Sequence, residues 1–110
     1  MVPVQQAVPL PETVSLEQGT CLGIPTITAH RAVMVAGLVA GRTVLVQGGA
    51  GAVGVCAVQL AHRAGARVIA TGRAARDQAI ALRAGADEVL IADETAAETL
   101  VGRIQALELV

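Results

Sequence analysis

The chain has 110 residues with a formal net charge of -1, and 54% of them are hydrophobic against 15% charged. That is a globular composition with room for a modest core; it argues against disorder and gives no electrostatic reason to expect nucleic acid or an anionic membrane as partner. All eight basic residues are Arg, which excludes a lysine P-loop or Schiff base, and the absence of Phe, Tyr and Trp excludes aromatic stacking on a flavin, base or sugar.

Pro3, Pro9 and Pro11 keep the first dozen residues extended, and residues 1–14 are read as an extended N-terminal segment. This stretch lacks a basic region followed by an apolar one, so it is not a signal peptide, and Gly and Arg interrupt every apolar run before a membrane span is reached. A cytoplasmic location is the expectation. "SLEQ" has the spacing of a capping box, with Ser15 as helix N-cap and Gln18 reaching back. Leu16 to Val35 is read as helix in two pieces, because Pro25 lacks a backbone donor. Residues 15–41 thus form a helical lead-in that ends in the turn "AGLVAGR".

Residues 42–110 alternate short apolar runs with Ala-rich amphipathic ones. Thr43 to Gln47, Arg67 to Thr71 and Glu88 to Ile91 have the β-branched enrichment of buried strands. Val53 to Ala64 and Ala74 to Ala84 are helices stopped by Gly65 and Gly85, and Glu94 to Leu107 is a last helix carrying Leu100, Ile104 and Leu107 at helical spacing. Such alternation predicts an α/β fold: a partial Rossmann-like parallel sheet of about three strands in the order 3-2-1, with flanking helices. The first strand then has one edge without a partner, which predicts self-association unless the N-terminal segment covers it.

"TVLVQGGAGAVGVCAVQLAHRAGARVIATGR" (43–73) carries the strongest chemical signal. Gly49, Gly51 and Gly54 fit G-x-G-x-x-G, while Gly48, Gly51 and Gly54 fit an overlapping G-x-x-G-x-x-G. In a strand–turn–helix context the first glycine permits a tight turn, Gly51 admits a pyrophosphate to the backbone, and Gly54 allows close helix packing. Ala52 precedes and Val53 begins the helix, whose N-terminus supplies free N–H groups and a partial positive charge for an anion. NAD-binding domains place an acid about 20 residues further on for the ribose 2′-hydroxyl. Gly72-Arg73 stands there instead, with Arg76 one turn later, so a 2′-phosphate and hence NADPH is expected. Asp77 is a nearby candidate to pair with Arg73.

Other residues read as structural. Cys21 and Cys56 have no ligand-spaced neighbours and are expected to be small buried hydrophobes in a reducing compartment; no metal site is expected. His30 and His62 lack a nucleophile at readable spacing, and the pairs Asp87-Glu88 and Asp93-Glu94 are read as solvated strand ends.

"GIPTITA" (23–29) followed by "VLVQGGAGAVG" (44–54) resembles the zinc-independent, zeta-crystallin-like quinone oxidoreductases of the medium-chain dehydrogenase/reductase superfamily. The resemblance covers nearly the whole chain. It implies NADPH-dependent hydride transfer to a small quinone or an α,β-unsaturated carbonyl, with Thr28 beside the nicotinamide, Gly51 to Gly54 under the pyrophosphate, and Gly72 and Arg73 near the 2′-phosphate. Ile24 stands where zinc-dependent relatives have a Cys ligand, and Ala92 stands where several relatives have a Tyr at the 2′-phosphate end. Family members are about three times longer, with a β-rich catalytic domain before this region and the rest of the nucleotide fold after it. The expectation is therefore a cofactor-binding segment that is not active alone. The alternatives are an enoyl-thioester reductase segment of the same superfamily and a truncated, non-catalytic nucleotide-binding or interaction fragment.

Overall fold

A computed structural model describes residues 1–92 and 97–106. The expectations for Asp93, Glu94 and Leu107, and for the side chains of Leu100 and Ile104, lie outside what is described. The first 14 residues are nearly all exposed and are not extended throughout: they hold a 3-10 turn, Val4–Gln6, and a second turn closed by Val14 N donating to the Pro11 carbonyl at 2.9 Å. Helix α1 (Leu16–Thr20) starts as its sequence dictates. Ser15 Oγ accepts from Gln18 N at 3.2 Å, and Ser15 N donates to Gln18 Oε1 at 2.9 Å. The break expected at Pro25 is a new start. Pro25 occupies the first turn of α2 (Ile24–Met34), where its missing N–H costs nothing.

The sheet follows. Strands β1 (Thr43–Val46), β2 (Arg67–Gly72) and β3 (Glu88–Ile91) are parallel in the order β1-β2-β3, the expected arrangement. Helices α3 (Ala52–Arg63) and α4 (Ala75–Ala84) make the crossovers, and α5 (Ala97–Ala106) follows β3. Boundaries move by a residue for local reasons. Gly48, at φ +70, turns the chain early and ends β1 at Val46, while Gly51 is extended and serves as N-cap, so α3 begins at Ala52 rather than Val53. Gly65 and Gly85 terminate α3 and α4 at φ +85 and +112, a region only glycine enters readily. Arg103 Nη1 donates to the Ile91 carbonyl at 3.3 Å, which ties α5 to the end of β3.

Register decides which side chains form the core. Val44 pairs with Val68, Val46 with Ala70 and Ala70 with Val89, so these residues share one face of the sheet. Against that face α3 packs Gly54, Ala57, Val58 and Ala61, spaced as one helical stripe, and α4 packs Ala81. With no aromatic residue available, the core is filled by bringing Ala-lined helices close to Val-lined strands; full burial of Val58 or Val68 contributes about 1.5–3 kcal/mol each. Helix α2 adds Ala29 and Val33 to the same cluster.

Three expectations change. Cys56 is half-buried beside the core, but Cys21 is exposed, because α1 buries none of its residues. Asp87 is not merely a solvated strand end: its Oδ2 accepts from Val68 N at 2.7 Å and holds the start of β2. Glu88 pairs with Arg67 at 3.4 Å across the β2–β3 ladder.

Candidate functional site

The carboxyl ends of β1 and β2 open into a groove of about 480 Å³ lined by Gln47, Gly48, Ala50, Gly51, Thr71, Gly72, Arg73, Arg76, Asp77 and Ala92. One wall is the glycine turn, and each glycine has its own reason. At Gly48 the positive φ requires glycine although a side chain would meet nothing. At Gly49 a Cβ would lie 2.6 Å from the Ala70 methyl, so the turn can lie on β2 only without one. At Gly54 a Cβ would stand 2.1 Å from the Gly48 carbonyl oxygen, which makes this glycine the condition for packing α3 on the turn. Gly51 differs. Its φ of -74° suits any residue, and a Cβ would come no nearer than 3.4 Å to the Gly48 oxygen. The protein's own packing makes only a mild demand for glycine at 51, while a ligand close to the backbone would make a strong one.

Thr71, which the sequence reading passed over, holds this turn with two groups. Its hydroxyl oxygen accepts from Gly48 N at 3.0 Å and its carbonyl accepts from Gly49 N at 2.9 Å. The signal was available as a hydroxyl-bearing, β-branched residue closing an apolar strand. Among the described residues no side chain caps α3, so the N–H groups of Ala52 and Val53 remain for an outside acceptor, reinforced by the positive end of the helix dipole. A pyrophosphate suits that donor set, and the absence of a Cβ at Gly51 leaves it a path to the backbone.

The far end of the groove carries charge. Arg73 and Arg76 are exposed, and the Arg73 guanidinium makes no ion pair among the described residues. Asp77 does not pair with the Arg73 side chain. Its Oδ2 accepts from the backbone N–H of Arg73 at 2.8 Å and of Ala74 at 3.3 Å, and Oδ1 lies 3.7 Å from Arg76 Nε. The Arg73 N–H is the chief cause that holds this carboxyl below its ordinary pKa, opposed by some desolvation and helped by Ala74 N–H and the two guanidiniums. Gly72, expected to leave room for a ligand, leaves room for Asp77: a Cβ there would lie 2.7 Å from the Asp77 Cβ. Ala92 closes this end, its N–H donating to the Gly72 carbonyl at 2.8 Å.

The groove therefore brings together Gly48, Gly51, Gly72, Arg73 and Arg76. Gly49 supports it from behind, while Ala52, Val53 and Gly54, at the start of α3, line the adjoining apolar hollow rather than the groove. Thr28 is exposed on α2 and does not line it. The hollow, larger than the groove at about 630 Å³ and set between α2, β1 and α3, shares Gln47, Gly48 and Gly51 with it and includes Ala32, one helical turn after Thr28. Among the described residues no helix is long and apolar enough to cross a membrane.

A parallel sheet with a glycine-rich turn between its first strand and the following helix defines a partial Rossmann-like α/β unit. No protein-family profile matches the chain. It is, however, 42% identical over 81 residues to human quinone oxidoreductase, a match covering 73% of this chain and 25% of that protein. Its fold superposes with a TM-score of 0.86 on a mycobacterial protein solved in complex with NADPH, at 34% identity, covering 97% of this chain and 33% of the other. It is also 42% identical over 73 residues to the spectinabilin polyketide synthase system protein NorB of Streptomyces orinoci, covering 66% of this chain and 3% of that protein. These matches over a segment of each relative support a partial fragment of the quinone oxidoreductases of the medium-chain dehydrogenase/reductase superfamily. It spans about a quarter of the length of the curated quinone oxidoreductases it matches.

Proposed function

We propose that this chain is the NADPH-binding segment of an oxidoreductase that transfers hydride to a small quinone or an α,β-unsaturated carbonyl, and that it does not turn over alone. The observation that carries the reading is Gly51, the N-cap of α3, lining the same groove as Arg73 and Arg76. Gly48, Gly49 and Gly54 shape the turn, and Gly51 with the Ala52 and Val53 N–H groups receives the pyrophosphate. Gly72 sets the end of β2, while Arg73 and Arg76 take the 2′-phosphate as charge-assisted donors. Thr28 is assigned to the nicotinamide end, supported by its position one turn from the hollow that adjoins the groove. When bound, NADPH supplies a hydride, two electrons and one proton, to the acceptor, and a second proton comes from solvent. Positioning the acceptor against the nicotinamide supplies much of such a catalyst's advantage, so turnover by this chain alone is expected to be negligible.

The test compares dissociation constants for NADPH and NADH, read from reduced-cofactor fluorescence against a chain that has no Trp or Tyr. A contact from Arg73 worth about 1.5–3 kcal/mol predicts roughly 10- to 150-fold tighter NADPH binding, at the low end because exposed charges are screened. Arg73→Ala should remove most of that preference and leave NADH binding nearly unchanged. Equal constants in the unaltered chain would sink the phosphate role, and no binding of either would favour the non-catalytic fragment.

A second reading, an enoyl-thioester reductase segment, is favoured by the similarity to a polyketide synthase protein; the groove serves both readings equally. Self-association through the edge of β1 that has no partner strand among the described residues, where Leu45 is 41% exposed, and a cytoplasmic location are the remaining parts of the proposal. Light scattering at tens of micromolar, roughly the range where such edges pair, tests the first: a monomer would refute it.

A further inference from the structure

Beyond the reading of the groove as a dinucleotide site, on which it rests, we propose that Asp77 is a specificity residue: its carboxylate accepts the ribose 2′-hydroxyl of an unphosphorylated dinucleotide and opposes a 2′-phosphate, holding the NADPH preference below what two guanidiniums would give.

An acid is missing from the end of β2 in the sequence, where Gly72-Arg73 stands. The fold supplies one from α4 at the same place. Asp77 lines the groove beside Gly72, Arg73 and Arg76, and its Cβ occupies the space that a side chain at position 72 would need. It is not a freely moving surface acid. The two backbone N–H groups of Arg73 and Ala74 hold Oδ2, and the side chain is only 20% exposed. Oδ1 accepts no hydrogen bond among the described residues, since Arg76 Nε at 3.7 Å is beyond bonding distance. A fixed carboxylate with an unused oxygen suits a hydroxyl donor. Held below its ordinary pKa, it stays ionised at neutral pH.

The same geometry weakens the site for a phosphate. Arg73 and Arg76 bring two positive charges and Asp77 returns one, against a phosphate carrying about -1.5 to -2 at neutral pH. At separations of about 5 Å in a solvent-rich groove, the like-charge repulsion corresponds to roughly a fivefold to tenfold change in affinity. The preference left to the unaltered chain is then a partial cancellation, and neutralising Asp77 should reveal the rest.

Asp77→Asn tests this because the amide oxygen can still accept from the Arg73 and Ala74 N–H groups while the charge is gone. Asp77→Ser, a second neutral variant with an acceptor oxygen, stands in should Asn disturb the turn, and thermal melts show which variant keeps the fold. Fluorescence titrations of the 110-residue chain with NADPH and with NADH are expected to show NADPH tightening by about fivefold to tenfold, NADH unchanged or weaker, and the difference shrinking at high salt. A preference within twofold of the unaltered chain's, or one that falls, overturns the role of Asp77 while leaving the dinucleotide reading intact. Failure of the unaltered chain to bind either cofactor overturns that reading and this inference together.

Discussion

Gly54 and Gly51 sit three residues apart in one glycine-rich motif, yet the structure assigns them different work, and substituting Ala at each separates the two. A Cβ at Gly54 would lie 2.1 Å from the Gly48 oxygen and 2.9 Å from both the Gly48 carbonyl carbon and the Gly49 Cα. These are backbone atoms that cannot swing aside. Ordinary contact begins near 3.4 Å, so α3 and the turn would have to separate by more than an ångström. Displacing a core helix by that much opens the contacts of Ala57, Val58 and Ala61 with the sheet and should cost about 2–4 kcal/mol. For a chain of this size that corresponds to a fall in Tm of roughly 10 °C or more. At Gly51 the same methyl group meets one atom at 3.4 Å with a permissive φ, and loss of glycine's unfolded-state entropy offsets any crowding. Gly51→Ala should therefore melt within about 2 °C of the unaltered chain and lose affinity for NADPH. Circular dichroism melts with cofactor titrations read both quantities. A Gly54→Ala melt unchanged, or a Gly51→Ala melt as depressed as Gly54→Ala, would refute the division.

Thr71→Val keeps the shape of the side chain but removes the acceptor for Gly48 N, leaving that donor unpaired at the edge of the groove. A loss of about 1–2 kcal/mol in stability is expected, with weaker cofactor binding through a looser turn; an unchanged melt would show that the bond to Thr71 is dispensable. The folded-state pKa of Asp77 lies below its unfolded value, first because of the Arg73 N–H. Its contribution is therefore fully present above the unfolded carboxylate range and is lost as pH falls through the folded value. Stability measured against pH should decline on the acid side less steeply in Asp77→Asn than in the unaltered chain, and parallel curves would remove Asp77 from the acid response.

Much of the fold was legible because its punctuation is local. Ser15 with Gln18, Pro25, Gly65 and Gly85 each act within a few residues of themselves, and the sequence places each at an element boundary. The parallel sheet followed from short apolar runs separated by Ala-rich amphipathic stretches long enough to be helical crossovers. Contacts between distant segments were not legible. Asp87 holding Val68 N, Thr71 holding the glycine turn and Asp77 filling the space above Gly72 are polar side chains that serve backbone or steric needs elsewhere. In sequence they look like solvated strand ends or a helix's first turn. Cys21 failed for the complementary reason: a small apolar-leaning side chain is buried only where its helix packs into the core, and α1 buries none of its residues.

The central claim, that the glycine turn and the charged end of β2 form one NADPH site, is tested most directly by following backbone amide resonances as NADPH is added to the isotopically labelled chain. The perturbed amides should be those of Gly48, Gly51, Ala52 and Val53 at one end and Gly72, Arg73 and Asp77 at the other, saturating together, with a matching NADH titration moving the first group and Asp77 but Arg73 less than NADPH does. Perturbation confined to the apolar hollow of Ala32, Ala36 and Val39, or none at saturating cofactor, would contradict it.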